Sequence, residues 1–355
     1  MTTYVSSLAL SSSLRGNLMR SQAGLAEANK EMVTGRYADV GLSIGVRTGQ
    51  TVGLRNQHDR IESIITTNGI VAGRVDVTQK ATDGLLDTAQ EFLSTLISVR
   101  DGDNGPEVLF SQAKNNLQGL IGALNNSAGG QYIFAGIDTQ NKPVTDYFDP
   151  GAANKQAIDD AFFATFGITQ NDPAAANITP ADMSAFLQGA FADEFADPAG
   201  PPPATQGWQN WSGASNQNVS SRISTTEVVE VSTNANEQHF RDAAKAYAMA
   251  IDLGSTNLNQ NTFRAIVDEA IDTINKAIQG LVSDKAQLGT SEERISASTQ
   301  RLTIQRDIMA KQVSGFEGVD SIEASTRVTQ LQTQLDTALA LTARMQQLSI
   351  LNWMR

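Results

Sequence analysis

Two carboxylates spaced by one residue, Asp101 and Asp103, begin as a calcium-binding loop begins. Such a loop needs glycine at its sixth position for the sharp turn and a bidentate glutamate at its twelfth. Those positions hold Pro106 and Gln112, so Asp101–Pro106 reads as a turn between helices. Imidazole adds little: both histidines, His58 and His239, read as surface or helix-end residues and not as ligands. The absence of cysteine excludes disulfides, thiolate metal sites, iron–sulfur clusters and cysteine nucleophiles together. No H-E-x-x-H, Walker A or G-x-G-x-x-G pattern occurs. Phe148, Phe162, Phe163 and Phe166 read as core. Trp208 and Trp211 read as core or subunit-contact residues, with a sugar platform as the chemical alternative. No catalytic residue, cofactor or metal is expected, and the chain does not read as an enzyme.

Bulk composition points the same way. At 355 residues the chain has room for two or three domains. It carries 38 acidic against 26 basic residues, a net charge of −12, so the basic footprint of a nucleic-acid protein is missing. Anionic membrane surfaces are disfavoured for the same reason. No uncharged apolar stretch approaches the ~18 residues of a membrane span, so no membrane insertion is expected. The start, Met1 to Leu8, lacks a basic segment followed by a long apolar one. A cytoplasmic protein, or one exported without a cleaved signal peptide, fits that start.

The elements that could position side chains are helices. Leu14, Leu18, Ser21, Leu25, Ala28 and Met32 step by four and three in alternation. Ile61, Ile64, Asn68, Val71, Val75, Thr78, Thr82, Leu85, Ala89, Phe92 and Leu96 continue the rhythm. It returns in Phe263, Val267, Ala270, Ile274, Ala277, Leu281 and Leu288, with Asp284 interrupting. The last run is Ala324, Val328, Leu331, Leu335, Ala338, Thr342 and Met345. Such spacing keeps one stripe facing a partner helix. It predicts a mainly α chain with long helices at both ends. A helix of about 30 residues spans roughly 45 Å, so an elongated molecule is expected. The terminal stripes are natural partners for each other or for copies of themselves, since amphipathic helices outside a compact core are marginal alone. The apolar end, Ile350 to Met354, also calls for burial.

Local signals fill in the rest. Thr290-Ser291-Glu292-Glu293 reads as a capping box opening a helix. A helix over 107–127 following the Asp101–Pro106 turn predicts a helical hairpin. Gly41, Gly45, Gly49 and Gly53 recur every four residues; they read as a connector, with close helix packing as the other reading. Between Pro143 and Ser221 lie eight of nine prolines, seven of 13 phenylalanines and two of three tryptophans, with Lys155 the one basic residue. That shift predicts an inserted domain with its own aromatic core, flanked by strands at 131–136 and 227–231. Pro201–Pro203 reads as an exposed extended loop.

A resemblance enters at the ends. The run Leu14 to Val40, with Glu31-Met32-Val33-Thr34-Gly35-Arg36 closing the first helix, resembles the flagellin superfamily. Gln287-Leu288-Gly289-Thr290 is similar to the superfamily's leucine–glycine turn, and Val319 to Val328 with Gln346 to Leu351 to its last helix. Within it, Gly130-Gln131-Tyr132-Ile133-Phe134-Ala135-Gly136 and Lys142-Pro143-Val144 resemble the hook–filament junction family (the third hook-associated protein), in its alphaproteobacterial branch. This implies a structural protein layered as 1–40 with 318–355, 41–142 with 222–317, and an outer 143–221. It implies an assembly coiled coil of Leu14, Leu18, Leu25 and Met32 against Val328, Leu331, Leu335, Ala338 and Met345. It also implies a ring of copies, with flagellin, another hook-associated protein and an export chaperone as partners. The location implied is the extracellular hook–filament junction, reached unfolded by type III export. A filament-forming flagellin is the alternative.

Overall fold

The computed structural model describes residues 7–101, 106–197, 207–253 and 257–353; side chains at 7–11, 101, 106, 345, 346 and 348–353 lie outside that description. The architecture is mainly α. In order come α1 (Ser7–Thr34), α2 (Val40–Ile44), α3 (Thr48–Asp101), α4 (Pro106–Leu124), β1 (Ser127–Ala128) and β2 (Gln131–Tyr132). Then follow α5 (Ala153–Phe166), α6 (Pro180–Gln188), α7 (Ala190–Asp193), β3 (Ser220–Arg222) and β4 (Val228–Glu230). The chain finishes with α8 (Gln238–Asp252), α9 (Gln260–Glu317) and α10 (Ser321–Trp353). Both strand pairs, β1–β2 and β3–β4, are antiparallel. They are shorter than the alternating sequence at 131–136 and 227–231 suggests. Residues 1–63 with 301–355 form one compact unit and 64–300 a second.

In the second unit the long stripes are the core. Leu85, Phe92 and Leu96 of α3, Leu117 of α4, Tyr247 of α8 and Ile274 of α9 are all buried. The same cluster continues into Tyr147, Phe162, Phe186, Phe191, Trp208 and Trp211. The aromatics of 143–221 therefore extend the helical core, where composition predicted a core of their own. Trp208 stacks on Trp211 at 5.3 Å between ring centres, and Trp211 on Tyr147 at 4.9 Å. Phe163 departs from its expected burial at 56% exposed, because α5 turns Phe162 inward and its neighbour falls on the other face.

A smaller cluster, Val75, Ile223, Val229, Val231, Leu288 and Ile295, seats the β3–β4 hairpin. It accounts for three polar side chains of α3 and α9. Asn68 Nδ2 donates to Ile223 O at 3.0 Å, Ser298 Oγ to the same carbonyl at 2.8 Å, and Ser291 Oγ to Glu230 O at 2.8 Å. They satisfy backbone acceptors that the short ladder leaves over. Asn68→Ala is expected to lower stability by about 1–2 kcal/mol, measured by urea unfolding. An unchanged midpoint would remove Asn68 from this account.

Two expectations fail at one place. The capping box at Thr290 and the leucine–glycine turn before it both lie inside α9, where Thr290 Oγ1 donates to Ala286 O at 3.0 Å. Apolar stripes on both sides keep the helix continuous past the cap signal; tertiary burial outweighs a local motif. His239, expected at the surface, is 8% exposed. His58 lies within α3, its Nδ1 3.1 Å from Asp59 Oδ1. The run of glycines serves α2, a 3-10 turn at Gly45–Arg47 and the start of α3. A Cβ at Gly45, Gly49 or Gly53 would meet nothing within 4 Å, so none of the three marks a close helix contact within the chain. Residues 102–105 of the first turn and Pro201–Pro203 lie outside the described residues. Among the described residues no helix is long and apolar enough to cross a membrane.

Candidate assembly surface of the terminal helices

Helix α1 packs on α10. The half-buried positions of α1 are Leu14, Gly16, Leu18, Ser21, Gly24 and Leu25, ending in buried Ala28; those of α10 are Val328, Leu331, Leu335, Ala338 and Thr342, after buried Ala324. Each helix thus turns its alternating stripe toward the other, since steps of three and four return to one face. Gly24 faces Leu331: a Cβ there would sit 3.8 Å from Leu331 Cδ1, an ordinary contact. Met32 stands apart at 40% exposed, and the buried residue of its turn is Glu31. The stripe steps by three from Ala28, not four. Glu31 is tolerated there because its carboxylate accepts the Ala38 N–H at 3.1 Å and lies 3.6 Å from Arg327. The backbone of Met345 belongs to α10, while its side chain and those of the apolar end lie outside the described residues.

Beyond the stripe the outgoing and returning segments are clasped. Gly35, at φ 66°, ends α1 in the left-handed conformation, its N–H donating to Glu31 O at 2.8 Å. Tyr37 N–H then donates to Glu317 O at 3.0 Å and Val319 N–H to Gly35 O at 3.0 Å. The Glu317 side chain, 2% exposed, accepts from both Arg36 and Arg55. Sequence reasoning missed this group, because Arg36 and Glu317 lie 281 residues apart and neither belongs to an apolar period. The nearest signal was the pair of helix ends at Gly35 and Gly318.

The outer faces of this unit remain apolar in places. Met19 and Val33 on α1, Leu42 and Val46 after it, and Ile322, Leu339 and Leu341 on α10 are all exposed. A two-helix pair can bury only one stripe per helix, so uncovered apolar residues on the far sides need further neighbours.

A cleft of about 820 Å³ lies in the second unit beside Phe110, Tyr147, Phe163, Lys155 and Asp252. Tyr147 donates its hydroxyl to Asp252, and Lys155 Nζ lies 3.2 Å from the other Asp252 oxygen while also binding Asp159. Burial pushes the Asp252 carboxyl up to about 6, against the pull of Lys155 and Tyr147. Burial, reinforced by Asp252, raises the Tyr147 hydroxyl well above its ordinary value. Both oxygens of Asp252 are thus engaged, which is the pattern of a structural network and not of a poised base.

Comparison with known proteins decides the family. The model of the bacterial flagellin N-terminal helical region matches residues 5–139, and that of the C-terminal helical region matches 271–354. The chain belongs to the flagellin superfamily. Its place is accordingly among the structural parts of the bacterial flagellum. The flagellin N-terminal model spans α1 through the β1–β2 pair, and the C-terminal model most of α9 with α10, so the matched residues hold both halves of the α1–α10 pair. A candidate flagellar hook-associated protein from Vibrio parahaemolyticus is a similar solved structure, with a TM-score of 0.49 and 8% identity over 76% of this chain and 97% of that one. No curated protein matches the chain in sequence.

Proposed function

We propose that this flagellin-superfamily chain is the adaptor joining the flagellar hook to the filament, assembled as a ring through its terminal helices. The observation that carries an assembly role is the α1–α10 pair, which uses one stripe of each helix and leaves Met19, Val33, Leu339 and Leu341 exposed. In this reading the stripe residues Leu14, Leu18 and Leu25 with Val328, Leu331, Leu335 and Ala338 form the inner contact and Met345 continues it, while Met32 lies off the stripe. The adaptor reading rests on the run Gly130 to Gly136 with Lys142-Pro143-Val144. In this reading the layers are 1–40 with 318–355, 41–142 with 222–317, and an outer 143–221. The partners are further copies, flagellin, another hook-associated protein and an export chaperone, and the route outward is type III export.

A filament-forming flagellin is the second reading, favoured by the flagellin description of both matched regions. Electron microscopy of gold-labelled protein in place separates the two. Label confined to a band at the hook–filament boundary, with flagellin shed into the medium on deletion, is the expected result. Label along the filament, or purified protein growing into long filaments alone, would overturn the adaptor reading.

A further inference from the structure

The heptad stripe of α9 is broken at Asp284, between buried Leu281 and Leu288. One turn away, at Gly280, α8 presses so closely that an added Cβ would come within 2.4 Å of His239 Cβ. Only glycine permits that approach, and it brings the imidazole over Asp284, with Nε2 at 3.7 Å from Oδ2. Neither atom has a hydrogen-bond partner, although the side chains are only 9% and 11% exposed. Both line a cavity of about 230 Å³, together with Asn218, Glu230, Ser232 and Glu237.

Charges around the cavity are one-sided. On β4 the Glu230 carboxylate takes a hydrogen bond from Asn218, and before α8 Glu237 takes one from Asn234 at 3.1 Å. On α8, Arg241 is occupied by the carbonyls of Asn236 and Phe195, and Asp242 is bound by Gln238. Lys285, next to Asp284 on α9, pairs with Asp83 of α3 at 2.6 Å. Burial pushes the Asp284 carboxyl up to about 7, with Glu237 and Glu230 adding to the effect and the Thr233 hydroxyl opposing it. Burial, with Arg241, holds the His239 imidazole down at about 4. Around neutral pH the imidazole is therefore uncharged, and three carboxyl groups face one small void that no described lysine or arginine lines; Arg241 acts on Glu237 and His239 from outside it.

We propose that this cavity is a socket for a cationic nitrogen head group, a primary ammonium or guanidinium, supplied by a lysine or arginine of an adjoining chain in the assembled flagellum. The chemistry fits on each count. A neutral imidazole with its proton on Nδ1 offers Nε2 as an acceptor. The Asp284 oxygen is a second acceptor 3.7 Å away, and a head group with several N–H donors can satisfy both. Its charge would offset the mutual repulsion of Asp284, Glu230 and Glu237. The inference needs assembly of the chain but not the choice between adaptor and filament subunit.

The full-length chain provides the test, because it has only two histidines and His58→Gln assigns their ring signals. At pH 8, millimolar n-butylammonium is expected to shift the His239 ring resonances saturably, and sodium chloride at equal ionic strength is not. Binding requires the ionised carboxylate, so the apparent affinity falls about tenfold per pH unit below the Asp284 transition. Asp284→Asn abolishes the saturable shift. If that variant does not fold, Glu237→Gln, which keeps the acceptor for Asn234, weakens binding instead. An equal shift with sodium chloride, or undiminished binding in both variants, overturns the socket. Carbodiimide cross-linking of intact assemblies identifies the source. A link from Asp284, Glu230 or Glu237 to a neighbouring chain's lysine supports it, and an arginine source is read from a His239 shift on assembly that an Arg→Gln change in the neighbouring chain removes while assembly persists. Butylammonium binding with neither signal overturns the adjoining-chain assignment.

Discussion

Leu335→Asp leaves residues 64–300 folded and removes the chain from the assembled flagellum. Leu335 sits half-buried on the stripe of α10 that faces α1. In the free chain an aspartate there can lean toward water, so the pair weakens without collapse. Once neighbouring copies cover the outer faces, that escape closes, and even a carboxyl group that takes up a proton costs on the order of 2–7 kcal/mol when buried without a partner in every subunit. The near-ultraviolet circular dichroism of the stacked Trp208 and Trp211 should match that of the parent chain. Incorporation, measured by labelling flagella on cells, should drop below detection. Gln334→Asp, on the exposed side of the same helix, places an equal charge one residue away and is expected to assemble. Normal incorporation of Leu335→Asp would refute the coiled-coil contact.

Apolar residues at steps of three and four report which face of a helix is buried, and that information is local. Leu14, Leu18 and Leu25, and likewise Val328, Leu331 and Leu335, could therefore be placed from sequence before any coordinates. Burial of Trp208 and Trp211 was legible for a similar reason: large rings in a segment with one basic residue have few other places to go. The failures share a different cause. Thr290 carries a strong local helix-start signal, yet Leu288 and Ile295 on either side belong to one buried cluster with Val75 and Val229, and distant partners decide the matter. Phe163 was misassigned because neighbouring residues in a helix diverge by about 100°. The continuity of the aromatic cluster with Phe92 and Tyr247 depends on α3 and α8, which lie on either side of 143–221 in sequence. The same limit applied to Asp284: a break in a stripe could be seen, but not the histidine above it.

Replacing Glu317 by alanine should loosen the unit formed by 1–63 and 301–355 by about 3 kcal/mol, the lower end of the usual range for a buried ion pair. The reduction follows from geometry. Glu317 is 2% exposed, but its partners Arg36 and Arg55 are 47% and 42% exposed. Both guanidinium groups can turn to water when the carboxylate is lost, so the remaining cost is the void and the missing tie, not two stranded charges. Glu317→Gln separates the two contributions. It fills the same space and can still accept a hydrogen bond, yet it leaves two cations around a neutral amide. If charge holds the clasp, the glutamine variant loses most of what the alanine variant loses; if packing does, it loses little. Hydrogen exchange over 31–38 and 314–319 reads the effect directly, because the amides of Tyr37 and Val319 are donated across the clasp. Their protection should fall on the order of a hundredfold in the alanine variant, with residues 64–300 unchanged. Equal protection in the parent and alanine chains would mean that the backbone bridge between Arg36 and Gly318 holds these segments without the carboxylate.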